Sequence, residues 1–240
     1  MFLARKGLSV ILCEKGHIAG EQSSRNWGWV RKMGRDPREL PLIIESLRLW
    51  QGMGELAPGE TGFRQAGILY ACETDEELER RASWLEHARP YQLDTRLLTR
   101  AELAELLPGA TRLPKGGLYT RSDGRAEPQK AAPAIARAAR RAGAAILTGC
   151  AVRGIETQAG RVSAAVTEKG RIACDSVVLA GGAWSRLFCG SLGLRLPQLK
   201  VRSSVMRTAQ PVRIAAPARR AARAIAGVAF CGSARPSLFV

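Results

Sequence analysis

Apolar positions follow two rhythms along this chain. Short, largely apolar runs at 8–13 and 177–180 predict buried strands, the first of the parallel kind covered on both faces, and 144–148 predicts a short strand. Helical spacing takes over at 40–53, where Leu40, Ile43, Ile44, Leu47 and Trp50 make one wide stripe. The segment "DEELERRASWLEHAR", starting at Asp75, predicts a helix with Thr74 as N-cap and Glu77 completing a capping box. "LLTRAELAELLPG" predicts a second short helix capped at Thr99. An Ala/Arg helix over 128–142 is closed by Gly143, and residues 1–6 read as a helix tail closed by Gly7.

Strand patterns fill the rest. Residues 61–71 predict one strand. "KGGLYTRSDGRAEP" predicts another, with a tight turn at Asp123-Gly124. A meander is expected over 152–157, 162–167 and 172–174, with turns at 158–160 and at Lys169-Gly170. Residues 16–35 read as a long loop. Helices alternating with parallel-type strands define an α/β class.

Composition adds limits to this picture. The chain has 240 residues, enough to bury a core in one large or two small domains. No apolar run reaches the roughly eighteen residues of a membrane span, and the N-terminus is a poor signal peptide, so a cytoplasmic protein is expected. The cysteines, Cys13, Cys72, Cys150, Cys174, Cys189 and Cys231, are scattered. With only His17 and His87 beside them, they form no metal-type spacing. Net charge is +16, unevenly spread: beyond Asp175 the chain carries ten cations and no carboxylate. Such a basic end is compatible with nucleic-acid binding. Equally, from Gln210 onward the pattern stops resembling a folded domain.

Three stretches carry candidate chemistry. Glu14 ends the first strand run, where a carboxylate can accept hydrogen bonds from ribose hydroxyls; a solvated strand end reads the same way. "EQSSRNWGWVR" offers short polar groups, a glycine for close backbone approach, and tryptophan faces suited to a planar ring. A polar loop with two tryptophans covering a core edge fits it about as well. "SVVLAGGAWS" runs an apolar strand into Gly181-Gly182, a form that brings backbone to a ligand at the carboxyl edge of a sheet or simply turns into a helix. Ser-His-Asp and Cys-His sets are missing, which leaves a hydrolase without machinery.

In order, "LSVILCEKG", "SSRNWGW", "GGLYTRSDGRAEP", "GAAILTGCAVRGIET" and "DSVVLAGGAWS" resemble the FAD-dependent oxidoreductases of the D-amino-acid oxidase superfamily, which includes glycine oxidase, sarcosine oxidase and D-amino-acid dehydrogenase. The resemblance covers roughly 1–208. It implies an incomplete Rossmann-like FAD-binding domain with an inserted α+β substrate domain. The FAD-binding parts are then 1–54 and 122–194, the insertion 55–121, the start of its return 195–208, and the atypical basic tail 209–240.

The same resemblance implies the site. Glu14 holds the adenosine ribose, with Lys15 beside it; Gln22 and Ser23 lie along the pyrophosphate. Trp27, Gly28 and Trp29 approach the flavin. Val152 meets adenine through its backbone, and Gly181 and Trp184 lie where the second FAD-contacting strand ends. No catalytic residue is assigned and no metal is expected. The family's first strand and its G-x-G-x-x-G turn are expected before Met1, and a substrate-binding arginine after Thr208, so the chain reads as truncated at both ends. The implied activity is oxidation of an amino acid or related amine by hydride transfer to flavin, impaired or lost in this chain. The expected partner is that small molecule, with no nucleic acid and no integral membrane segment. The alternatives are a basic nucleic-acid-binding protein and an inert remnant.

Overall fold

A computed structural model describes residues 1–108 and 110–201. In chain order its strands are β1 (Ile11–Cys13), β2 (Trp29–Val30), β3 (Ile68–Cys72), β4 (Thr95–Thr99), β5 (Gly116–Thr120), β6 (Gly124–Arg125), β7 (Ala145–Leu147), β8 (Val152–Gln158), β9 (Arg161–Thr167) and β10 (Gly170–Ala173). The helices are α1 (Phe2–Arg5), α2 (Leu40–Gln51), α3 (Met53–Leu56), α4 (Asp75–Ala82), α5 (Leu85–Ala88), α6 (Arg100–Leu106), α7 (Pro128–Arg141) and α8 (Ser185–Ser191). The described residues fall into two compact units: 1–26 with 128–201, and 27–127. The class is mixed α/β. The basic tail 209–240, Cys231 and residues 202–208 lie outside the described residues.

In the discontinuous unit β1 pairs with β7 in parallel, Ile11 opposite Ala145 and Cys13 opposite Leu147. Helix α7 explains how 1–26 and 128–201 hold together. Its small face, Ala131, Ala134, Ala138 and Ala139, is buried at helical spacing, while Arg137, Arg140 and Arg141 face solvent. Ala139 packs with Ala4 of α1 and with Ala144, flanked by Val10 and Ile146. Alanines let a helix approach a strand pair closely because nothing larger intervenes. The meander β8–β9–β10 is antiparallel. Ala159 and Gly160 both take positive φ in its first turn, as a two-residue hairpin turn requires.

Two sequence expectations fail here. The 8–13 run is not covered on both faces: Leu8, Ile11 and Leu12 are 55%, 47% and 41% exposed. Among the described residues β1 has one ladder neighbour, so an apolar run alone did not secure burial. Residues 177–180 form no strand, and Val178 is 77% exposed.

The other unit is built on an antiparallel sheet in the order β3–β5–β4. Alternation sorts its side chains into two cores. Ile68, Tyr70 and Leu118 join Met33, Trp84 and Leu85 on one face. Leu69 and Leu98 meet Leu103 of α6, and Leu107, on the other. The 61–71 strand begins only at Ile68, and "LLT" at 97–99 belongs to β4 rather than to the helix after it. Both helix caps form. Thr74 accepts from the Glu77 N–H, although the Glu77 carboxylate reaches the Glu73 N–H, one residue before the cap. Thr99 and Glu102 make a complete reciprocal capping box.

The Asp123-Gly124 turn needs correction as well. Asp123 is fully buried and accepts from the backbone N–H groups of Lys32 (2.9 Å) and Met33 (3.1 Å). The Lys32 ammonium stands 3.4 Å away and donates to Ser122 Oγ. Gly124 pairs with Val30 across β2–β6, and Arg64 bridges to Arg125. The turn residue is therefore a latch that fixes the segment following Trp29.

Candidate functional site

Glu14 follows β1 directly. Its N–H donates to Leu147 O (2.8 Å) and its carbonyl accepts from the Cys150 N–H (2.9 Å), so the parallel pairing carries on past both strand ends. Its side chain turns back: Oε1 accepts from the Gly16 N–H at 2.8 Å. That contact fixes the carboxylate at the carboxyl edge of the pair, half-exposed, where ligands of open α/β sheets bind.

The next turn reaches the end of the unit's late segment. Gln22 opens a 3-10 turn, Gln22–Ser24, and its Oε1 accepts from the Ala183 N–H (3.4 Å). Ser23 lies in the same turn; its carbonyl accepts from Asn26 Nδ2 (3.0 Å). The Lys15 ammonium stacks over the Trp184 ring, 4.3 Å from its centroid, and pairs with Glu21 at 2.6 Å. That hydrogen bond holds the Glu21 carboxyl below the ordinary glutamate range. Glu14, Lys15, Gln22 and Trp184 thus converge, with Ser23 and Gly181 adjacent. Val152 begins β8 two residues after Cys150, opposite Thr167.

Trp27, Gly28 and Trp29 belong to the other unit. Trp27 and Trp29 meet edge to face, centroids 5.1 Å apart. Gly28 takes φ +74 while its carbonyl accepts from Ala126 N–H (2.8 Å). The Arg31 guanidinium lies 5.2 Å from the Trp29 centroid and 5.4 Å from that of Tyr70. Burial lowers the Arg31 pKa, and Tyr70 pulls it back. Burial likewise raises the Tyr70 pKa, opposed by Arg31 and Arg81.

Some residues at the convergence escaped sequence reasoning. Gly182, not Gly181, takes positive φ (+53), and Gln22 Oε1 fills the space a Cβ there would need. Gln198 Nε2 donates to the Gly182 carbonyl (3.1 Å), and Lys200 lies 5.5 Å from the Trp184 centroid. The Gly-Gly pair signalled a special backbone conformation without saying which residue bears it. Nothing in the pattern around Gln198 or Lys200 pointed to this edge. Among the described residues no group of three or more His, Cys, Asp or Glu could hold a metal ion. No described helix is long and apolar enough to cross a membrane.

Glu14 is an acceptor at a sheet edge with one oxygen engaged, beside a polar turn and an indole face. An acceptor so placed fits a nucleotide whose ribose presents hydroxyl donors. Comparison with known proteins bears on the family of the chain. A family model described as FAD dependent oxidoreductase matches residues 1–231. The beta subunit of sarcosine oxidase from Rhizobium meliloti is 29% identical over 194 residues, covering 79% of this chain and 47% of that protein. The L-amino acid deaminase of Proteus myxofaciens, solved with anthranilate, superposes with a TM-score of 0.77 at 39% identity, covering 81% of this chain and 45% of the other. Glycine oxidase from Geobacillus kaustophilus gives 0.74 at 27% identity, with 81% and 54% covered. The chain spans about half the length of the relatives it matches.

Proposed function

Because this chain belongs to the FAD-dependent oxidoreductase family, we propose that its discontinuous unit supplies the adenosine side of an FAD site and that residues 55–121 form part of a substrate domain. The protein then oxidises an amino acid or related amine; the names of the three relatives share an amino acid as the compound acted on. FAD, when bound, supplies the acceptor for the hydride leaving the substrate's α-carbon. The chain's own residues bind and orient. The free Glu14 oxygen accepts from a ribose hydroxyl while Gly16 holds the other. Lys15 offsets phosphate charge, and Gln22 and Ser23 border the same turn. Val152, Gly181 and Trp184 extend this edge, and Trp27 and Trp29 offer flat apolar surface, with Gly28 between them.

One observation carries the reading: the Glu14 turn and the 182–184 turn are tied through Gln22–Ala183 and Lys15–Trp184 into one edge. The test is titration of the purified chain with FAD, followed by flavin absorption and tryptophan quenching. Glu14→Gln is expected to weaken binding by about 10- to 100-fold, the value of a lost charge-assisted hydrogen bond. Absence of saturable binding, or an affinity indifferent to this change, overturns the assignment.

A further inference from the structure

The two strand ends at Glu14 also bring two cysteines together. In a regular parallel ladder, the two hydrogen bonds made by one residue go to partners two apart. At Glu14 they go to Leu147 and Cys150, three apart. The extra residue is absorbed near Gly149, which takes φ +54 and donates to Gly16 O at 2.8 Å. This bulge sets the Cys150 side chain against that of Cys13, across 137 residues of sequence. Cys150 is fully buried and Cys13 partly exposed. The pair therefore has one reachable thiol backed by one shielded thiol.

We propose that Cys13 and Cys150 form a redox-modification site that hydroperoxides convert to a disulfide, linking β1 to the segment after β7. The Cys13 thiolate attacks one peroxide oxygen. The O–O bond breaks, the alcohol leaves with a proton, and Cys13 becomes a sulfenic acid. The Cys150 sulfur then displaces the hydroxyl as water and the S–S bond forms. In sum, two thiols lose two electrons and two protons, and one hydroperoxide is reduced to alcohol and water. Burial raises the Cys13 pKa, and the neighbouring Cys150 thiol raises it further. Conversion consequently requires excess oxidant rather than traces.

The bond closes a long loop and ties the end of β1, next to Glu14, to the segment between β7 and β8. It does not depend on flavin, so the test is run on the full chain without FAD. The protein is treated with hydrogen peroxide, alkylated, digested without reductant and mapped by mass spectrometry. The expected dominant product is a linked pair of peptides carrying Cys13 and Cys150, separated again by dithiothreitol, with Cys72 and Cys174 still alkylated. Cys150→Ser is expected to leave a Cys13 sulfenic acid that dimedone traps, and Cys13→Ser to abolish both products. If a variant fails to fold, the wild-type map alone decides. Cys13 and Cys150 both remaining alkylated, Cys13 stopping at sulfenic acid in the wild type, or Cys13 linked elsewhere each overturns the proposal.

Discussion

A carboxylate can cap, clasp or latch, and Asp123 and Glu14 separate those roles by burial. Asp123 is fully enclosed and takes two backbone N–H bonds plus the Lys32 ammonium. Burial raises its pKa, and those three partners oppose the rise. Its removal strands a buried ammonium and two N–H groups. Asp123→Ala is expected to cost about 3–5 kcal/mol, read as a lower denaturation midpoint with an unchanged m-value. The signal for this was legible as a turn pair only. That the aspartate turns inward depends on residues some ninety positions earlier, which no local pattern encodes. Glu14, by contrast, ends its apolar run where the sequence puts it, half-exposed and bonded to the Gly16 N–H, and its ribose contact is the proposal made above.

At the scale of elements, local chemistry was the better guide. The Thr74 and Thr99 caps, the Gly7 and Gly143 helix ends and the first meander turn form where short-range rules put them; the second turn is Glu168-Lys169, one residue earlier than expected, because Gly170 already pairs with Thr167 in β10. Helix α6 shows the linked proton equilibrium. Glu102 accepts from the Thr99 backbone and side chain and from Arg96, and its pKa is held at about 2. A lowered folded-state pKa contributes stability above the ordinary value of 4.5 and loses it as pH falls toward 2. Thermal midpoints of wild type and Glu102→Ala are therefore expected to differ at neutral pH and to converge as pH falls through that window. Strand readings fared worse. The runs at 8–13 and 177–180 have the composition of covered strands, yet their exposure follows from neighbours rather than from their own residues. The end of β4 reads locally as the approach to a helix for a related reason: "LLT" pairs with β5, and pairing is non-local.

For the whole molecule, ligand linkage offers the plainest check on the proposed site. A ligand bound only by the folded state adds about 2.7 kcal/mol at a hundredfold excess over its Kd. FAD is thus expected to raise the thermal midpoint in a concentration-dependent way, measured by calorimetry or tryptophan emission. A midpoint indifferent to FAD contradicts the assignment. The α/β class, most helices, the meander and the family were within reach of the sequence alone. Those rest on periodicity, capping and motif order, which are properties of neighbouring residues. Tertiary structure decided which runs are buried, that Asp123 is a latch, that Gly182 rather than Gly181 bears the unusual φ, that Gln198 arrives at Gly182 and that Cys150 arrives beside Cys13. Each of these depends on segments distant along the chain meeting in space, and burial, pairing and backbone strain exist only once they have met.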